Sequence, residues 1–225
     1  MKTFIGFTEA LELTLANVSA GGTEAISLLS AVGRVLAEAV TATVDSPSVS
    51  TSRKDGYAVL PEDLGPASPA TPVRLKLVGS RSAGEMRPLS IHSGEAVRVT
   101  TGASIPEGNV SIISEEFCRQ EGQTLACLNT AEPGRNILRR GTDVRCGDIV
   151  ATSGATLSPP VLSLIAAAGH GTVRVHQVPR VSVIATGDEV VAPGDPLPEG
   201  KLYASNMIEI CSWLGLHAIP FETAI

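Results

Sequence analysis

A chain of 225 residues that is 43% hydrophobic and 18% charged is long enough to form one large or two small domains and too apolar to be disordered. Its formal charge of −6 argues against general nucleic-acid binding, which needs a basic surface, but does not exclude a small anionic ligand. Basic residues also cluster locally, so the local potential can oppose the net charge; the clusters are Arg53/Lys54, Arg135 and Arg139/Arg140.

The chain begins with helical patterns. Residues 8–19 predict a helix that Thr8 caps, because apolar residues recur there at helical spacing. A second helix is predicted over 24–32, with Gly33 as its end. Alternating apolar residues over 40–44 then indicate a strand.

Helical periodicity disappears between residues 47 and 138. Alternating or short apolar runs predict strands at 73–77, 96–99 and 110–113. Four prolines over 60–72 indicate a surface loop. This part of the chain is therefore predicted to be a small β module.

Helical character returns at 161–168, where Ser158 can cap the helix and Gly169 can end it. Val173 and Val175 indicate a further strand. The nearly continuous apolar run at 181–185 is typical of a buried parallel strand.

The segment after this run predicts another helix, capped by Ser205 or Asn206 and ended by Gly215, and then a strand over 216–219. Strand, loop, helix and strand in this order open a doubly wound α/β domain. The predicted fold class is thus α+β and multidomain. The β module (47–138) is inserted between the segments 1–46 and 139–178, and the start of an α/β domain (179–225) follows.

The four cysteines form no C-x-x-C pair and fit no zinc pattern; they are Cys118, Cys127, Cys146 and Cys211. We expect buried free thiols in a reducing cytosol. No signal-peptide pattern follows Met1, and the longest apolar run is too short to span a bilayer. The protein is expected to be cytoplasmic, without membrane or nucleic-acid partners.

Three turns that follow apolar segments place small residues beside a carboxylate or hydroxyl. They are Ser52-Arg53-Lys54-Asp55-Gly56-Tyr57-Ala58-Val59, Thr100-Thr101-Gly102-Ala103 and Thr186-Gly187-Asp188-Glu189. Glycines let the backbone approach a phosphate closely, and carboxylates bind or orient the waters of a hard cation. The turns together indicate a site for a phosphorylated ligand and a divalent metal. Each turn alone is also compatible with a purely structural role. Arg139 and Arg140 are also compatible with a solvated face that binds no ligand.

The order of these motifs resembles the molybdopterin molybdenumtransferase family, the MoeA proteins and the matching domain of gephyrin. The similar segments are S-x-M-D-G-Y-A-V at 52–59, T-G-A-x-x-P at 101–106, G-x-N-I-R-x-x-G-x-D at 134–143 and P-R-V-x-x-x-x-T-G-D-E-L at 179–190. The resemblance covers nearly the whole chain. The departures include Lys54 where the family has Met and Leu138 where it has Arg.

The resemblance implies an enzyme of molybdenum cofactor biosynthesis that joins molybdate to adenylylated molybdopterin and releases AMP, with Mg²⁺ as the divalent cation. It also implies that 1–46 and 139–178 form one helical linker domain that carries the inserted β domain, and that the α/β domain binds molybdopterin. A homodimer is implied as well, with a molybdopterin adenylyltransferase or an apo-molybdoenzyme as candidate partners.

The resemblance assigns catalytic positions to Asp55, Thr101 and Glu189, and Asp55 and Glu189 are the expected metal-binding carboxylates. The expected residues for binding the anionic substrates are Lys54, Gly56, Tyr57, Gly102, Ala103, Arg139, Thr186, Gly187, Asp188, Ser205 and Asn206.

Two hypotheses stand at this point. The chain is the N-terminal portion of such an enzyme, or it is a truncated, non-catalytic dimerising scaffold or cofactor-binding module of the same family. The sequence lacks the family's G-G-x-S-x-G-x-x-D loop. We therefore expect the 225 residues alone to be inactive.

Overall fold

The computed structural model describes residues 4–88, 90–106 and 108–225, which form a mixed α/β fold with a curled β-sheet. The chain divides into two compact units. Unit 1 comprises Met1–Val40, Ala151–Ala166 and Gly171–Ile225, and unit 2 comprises Thr41–Val150 and Ala167–His170. The division into linker, inserted and α/β domains stays a prediction. None of the described helices is long and apolar enough to cross a membrane.

The described residues form three α-helices and sixteen short strands. The helices are α1 (Phe7–Asn17), α2 (Pro159–Ala167) and α3 (Ser205–Leu216). The strands are β1 (Thr23–Ser27), β2 (Val40–Thr41), β3 (Thr51–Ser52), β4 (Gly56–Val59), β5 (Val73–Arg81), β6 (Glu95–Val99), β7 (Ser111–Ser114), β8 (Cys118–Glu121), β9 (Thr124–Cys127), β10 (Ile137–Leu138), β11 (Ile149–Ala151), β12 (Thr172–His176), β13 (Val181–Ile184), β14 (Val190–Val191), β15 (Leu202–Tyr203) and β16 (Phe221–Ala224).

Unit 2 is built on a six-stranded sheet in the order β7-β4-β6-β5-β9-β8. Its neighbouring strands are antiparallel except for the parallel pair β5 and β6. The hydroxyl of Tyr57 on β4 donates to Oε1 of Gln120 on β8 at 3.2 Å, although the two strands are not neighbours in the sheet. This contact requires the sheet to curl on itself.

Buried side chains pack on both faces of this sheet. Because side chains alternate along a strand, Tyr57 and Ala58 belong to different cores. The first core includes Tyr57, Val59, Leu64, Leu75, Leu125 and Cys127. The second includes Ala58, Ile91, Val97, Val99, Val110 and Ile112. The two cores hold β4 in place, and β4 follows directly after the candidate residue Asp55.

The strands predicted for this part of the chain are confirmed. The segments 73–77 and 96–99 lie within β5 and β6, and 110–113 corresponds to β7 with a shift of one residue. The loop over 60–72 includes a short 3₁₀ turn at Pro61–Leu64.

In unit 1, the helix predicted over 24–32 is wrong. Residues 23–27 form β1, which pairs antiparallel with β12, and Leu28–Ser30 form a 3₁₀ turn. The Oγ of Ser27 accepts from the N–H of Leu29 at 3.3 Å and caps this turn. The apolar residues of the predicted helix are not all buried, since Leu29 is 96% exposed. Pairing with a distant strand therefore overrides the local helical spacing.

The helices predicted over 8–19 and 161–168 are confirmed. The helix predicted over 8–19 is α1, although Gly6 rather than Thr8 occupies the N-cap position. The predicted strand at Val173 and Val175 is β12, and the helix predicted over 161–168 is α2. Gly169 follows α2 with a φ of +97°, as an ending glycine requires.

The last part of unit 1 contains a parallel pair, β13 and β16, with α3 between them in sequence. This confirms the strand, helix and parallel strand order. The strand predicted over 216–219 is wrong, because α3 continues to Leu216 and the strand begins at Phe221. The predicted capping by Ser205 or Asn206 is also wrong, since the N-cap is Ala204, without a side-chain hydrogen bond.

Candidate functional site

Asp55 and Thr101 form a hydrogen-bonded pair in unit 2. Asp55 Oδ1 accepts from the backbone N–H of Thr101 at 2.6 Å and from its hydroxyl at 3.0 Å. Both residues are exposed, and they lie 46 positions apart in the sequence. The fold thus joins the D-G-Y-A and T-G-A motifs into one feature.

The backbone on either side holds this pair in place. Ser52 N–H donates to the carbonyl of Ala103 at 2.9 Å, and Gly102 N–H donates to the carbonyl of Ser52 at 2.8 Å. Gly102 has a φ of +82°, which favours glycine. The Oγ of the buried Ser52 donates to the Lys54 carbonyl at 2.6 Å and fixes the turn that precedes Asp55.

Asp55 is held in its ionised form. The N–H of Thr101, then its hydroxyl, and the nearby positive charge of Arg98 hold the pKa of Asp55 below its usual value. Within the described part of the chain, no group donates to Oδ2 of this carboxylate. The second oxygen is therefore free to bind a ligand.

Replacing Thr101 with valine is expected to raise the pKa of Asp55 towards its usual value, because the hydroxyl donor is lost while the N–H remains. NMR titration of the side-chain carboxyl carbons measures this change. Asp45 is the internal control: the N–H of Cys146 and the side chain of Arg140 lower its pKa independently. An unchanged Asp55 pKa contradicts the prediction.

The sign of the effect on stability follows from the lowered pKa. A carboxyl group with a lowered folded-state pKa stabilises the protein above its unfolded-state pKa, and this contribution disappears as the pH falls through the folded-state pKa. The valine variant is therefore expected to lose less stability than the wild type on acidification, as urea unfolding across the acidic range would measure.

Three other predicted site residues of unit 2 shape the site without offering it a side chain. The Tyr57 ring lies in the first core at 5% exposure, and burial raises the pKa of its hydroxyl. Ala103 is completely buried. Gly56 has no side chain and lies on β4, which pairs with β6 on one side and with β7 on the other. Lys54 is exposed beside Asp55.

The turn that carries Thr101 continues into the wall of a cavity of about 790 Å³ within unit 2. Ser104, Ile105 and Pro106 contribute to this wall. Among the described residues that line it, the charged ones are all arginines: Arg81, Arg87, Arg139 and Arg140. This lining favours an anionic ligand.

Arg81 is the buried member of this set, at 7% exposure. Its Nη1 donates to Ser104 Oγ at 3.2 Å, and its Nη2 donates to the carbonyl of Arg87. Arg81 thus ties the loop after β5 to the turn that carries Thr101. The sequence contained a signal for it, since an arginine occupies an inward position of an alternating strand, but sequence reasoning missed it.

Arg139 is the predicted binding residue on the cavity wall. Its guanidinium makes no hydrogen bond or ion pair within the described part of the chain. A Cβ on Gly134, which has a φ of +75°, would lie 3.1 Å from Arg139 Nη2. In contrast, Arg140 is paired with Asp45. Arg139 is therefore the more available cation of the two.

The remaining predicted site residues belong to unit 1. The turn Thr186-Gly187-Asp188-Glu189 follows the carboxyl end of β13, and all four residues are exposed. Gly187 has a φ of +139°, and a Cβ there would lie 2.6 Å from Glu189 Oε2. The positive φ favours glycine at this position, and the Glu189 carboxylate folds back over the turn.

Backbone hydrogen bonds tie this turn to the segment before α3. The Leu202 N–H donates to the Glu189 carbonyl at 2.9 Å, and β14 pairs parallel with β15. Ser205 and Asn206 are the first two residues of α3 and are exposed. These bonds connect the turn, through Glu189, to the segment that leads into α3.

The described residues contain no group of three or more His, Cys, Asp or Glu side chains that could hold a metal ion. Asp55 fits a cation only as a single carboxylate ligand. This is compatible with Mg²⁺, which usually takes one or two carboxylates and completes its shell with phosphate oxygens and water.

Comparison with known proteins connects these features to one family. Residues 5–169 match the family described as the MoeA N-terminal region (domain I and II). The chain is 36% identical over 189 residues to the molybdopterin molybdenumtransferase of Haemophilus influenzae. This alignment covers 84% of the chain and 46% of that protein. It is 34% identical over 209 residues to the protein of the same name from Bacillus subtilis. That alignment covers 91% of the chain and 49% of the relative.

A solved structure is also similar. A molybdopterin biosynthesis MoeA protein from Pyrococcus horikoshii OT3 matches with a TM-score of 0.83 at 33% identity, over 99% of this chain and 59% of that one. The chain spans about half the length of the curated relatives it matches.

Proposed function

Because the chain belongs to the MoeA family, we propose that the full-length protein acts in molybdenum cofactor biosynthesis as a molybdopterin molybdenumtransferase. In this proposal it joins molybdate to adenylylated molybdopterin and releases AMP. A homodimeric state, a cytoplasmic location and an adenylyltransferase or apo-molybdoenzyme as partner are parts of the same proposal.

The observation that carries the proposal is the Asp55–Thr101 pair. The resemblance gives both residues catalytic positions, and the two side chains hydrogen-bond to each other. An ionised, exposed carboxylate with one oxygen fixed and the other free is the arrangement that a phosphate-bound cation needs.

In the mechanism that we propose, Asp55 and Thr101 act on the phosphate end of the substrate. Thr101 orients the Asp55 carboxylate and keeps it ionised, so that Oδ2 can take a cation or one of its waters. Asp55 would hold Mg²⁺, and the bound cation would supply positive charge to neutralise the phosphate oxygens. Arg139 on the cavity wall offsets further negative charge of the substrate.

Glu189 is proposed as a second functional carboxylate, because it ends the T-G-D-E turn after β13. The carboxyl ends of parallel strands are where α/β sheets bind their ligands.

The test uses the full-length protein with adenylylated molybdopterin, molybdate and Mg²⁺. We expect release of AMP and reconstitution of an apo-molybdoenzyme, and we expect Glu189→Ala to reduce both by at least about tenfold. Glu199→Ala, which removes an exposed carboxylate of the same unit, is the matched control and is expected to remain active. A full-length protein that folds but releases no AMP would sink the proposal and favour the scaffold alternative.

A further inference from the structure

Two of the four cysteines face each other across an antiparallel hairpin. Cys118 on β8 and Cys127 on β9 are register partners, and both thiols are free. β8 is the edge strand of the sheet. Cys118 is partly exposed there, and Cys127 is completely buried in the first core of unit 2.

The position of this pair in the hairpin brings the two sulfur atoms close together. The adjacent pair is hydrogen-bonded, because Leu128 N–H donates to the Phe117 carbonyl at 2.8 Å. Pairs alternate along an antiparallel ladder, so Cys118 and Cys127 form a non-hydrogen-bonded pair. In such a pair the Cα atoms are about 4.5 Å apart, within the range of about 4.4–6.8 Å that disulfides span.

The two thiols influence each other's ionisation. The neighbouring Cys127 thiol, together with burial, raises the pKa of Cys118, and the Cys118 thiol lowers the pKa of Cys127. Access nevertheless selects Cys118 for the first attack, because Cys127 is completely buried.

We propose that Cys118 and Cys127 are a modification site that small-molecule disulfides of the glutathione class oxidise to a reversible intramolecular disulfide. The partly exposed Cys118 sulfur attacks one sulfur of the reagent and releases one thiolate. Cys127 then attacks the Cys118 sulfur and displaces the second thiolate. The two protein thiols lose two protons and two electrons, and the reagent becomes two thiols.

The other two cysteines differ in their surroundings. Cys146 is exposed, and its thiol donates to the Thr43 carbonyl at 3.4 Å. Cys211 is buried on α3 in unit 1. A mixed disulfide at Cys146 would obscure the result, so the experiment uses the 225-residue chain with Cys146→Ser as its background.

This background protein is incubated with oxidised glutathione and examined by intact-mass spectrometry and by thiol titration after denaturation. We expect the protein to lose two titratable thiols and the mass of two hydrogen atoms, and to carry no glutathione adduct. A reducing agent is expected to restore both thiols. Addition of Cys127→Ser is expected to trap one glutathione on Cys118. Addition of Cys118→Ser is expected to leave the protein unmodified, because Cys127 is buried.

Circular dichroism and thermal unfolding establish that each variant is folded, and Cys127→Ala replaces the serine variant if it is not. Retention of all thiols in the background protein, or a disulfide that involves Cys211, would overturn the proposal. Trapping of glutathione on Cys127 instead of Cys118 would overturn the proposed order of attack.

Discussion

Replacing Asp55 with asparagine is expected to reduce molybdate insertion by the full-length protein by at least about a hundredfold. Asparagine has nearly the shape of aspartate and keeps an oxygen that accepts from the Thr101 N–H and hydroxyl. The substitution therefore removes the charge while it preserves the hydrogen-bonded turn. Release of AMP in the presence of Mg²⁺ measures the loss.

Glu121→Gln is the matched control. It neutralises an exposed carboxylate in the same sheet, at the turn between β8 and β9, where its 3.7 Å ion pair with the exposed Arg74 contributes little. We expect this variant to keep its activity and its wild-type unfolding temperature. Asp55→Asn is expected to remain folded with a slightly lower unfolding temperature at neutral pH, because the ionised carboxylate stabilises the fold there. Full activity of Asp55→Asn would exclude a role for the charge and reduce the pair to a structural turn.

Local patterns predicted the elements whose alternating burial or terminal residue is visible in the sequence. The alternation at 73–77 predicted β5, because one face of this strand is more buried than the other. Gly169 marked the end of α2, because a positive φ at that position favours glycine.

The helix predicted over 24–32 failed for the opposite reason. Its apolar residues have helical spacing, but residues 23–27 pair with β12 (Thr172–His176). Such a pairing depends on a partner more than a hundred residues away and leaves no local signal. The capping predicted for Ser205 or Asn206 failed on a smaller scale, because α3 begins one residue earlier than a side-chain cap requires.

The sequence motifs named candidate site residues but not the contacts between them. The motifs pointed to Asp55 and Thr101, but only the structure shows that they bond to each other. The structure also places Tyr57 in the first core, where its hydroxyl donates to Gln120. The aromatic residue of the motif therefore anchors the strand that follows Asp55. Arg81 was missed because its importance comes from burial against Ser104.

Replacing Gly56 with alanine is expected to lower the free energy of unfolding of unit 2 by more than about 3 kcal/mol. A Cβ at this position would lie 2.1 Å from the carbonyl oxygen of Ile113, which belongs to the backbone of β7. A strand paired on both sides cannot move away from such a contact without breaking a ladder. Urea unfolding followed by circular dichroism measures the change.

Gly79→Ala provides the control, because Gly79 also lies in this sheet but nothing lies within 4 Å of a Cβ added there. We expect this variant to change the free energy of unfolding by less than about 1 kcal/mol. Equal effects of the two substitutions would contradict the steric argument and attribute the loss to glycine's backbone alone. A selective loss at Gly56 would mean that the glycine beside Asp55 is required for the close approach of β4 and β7.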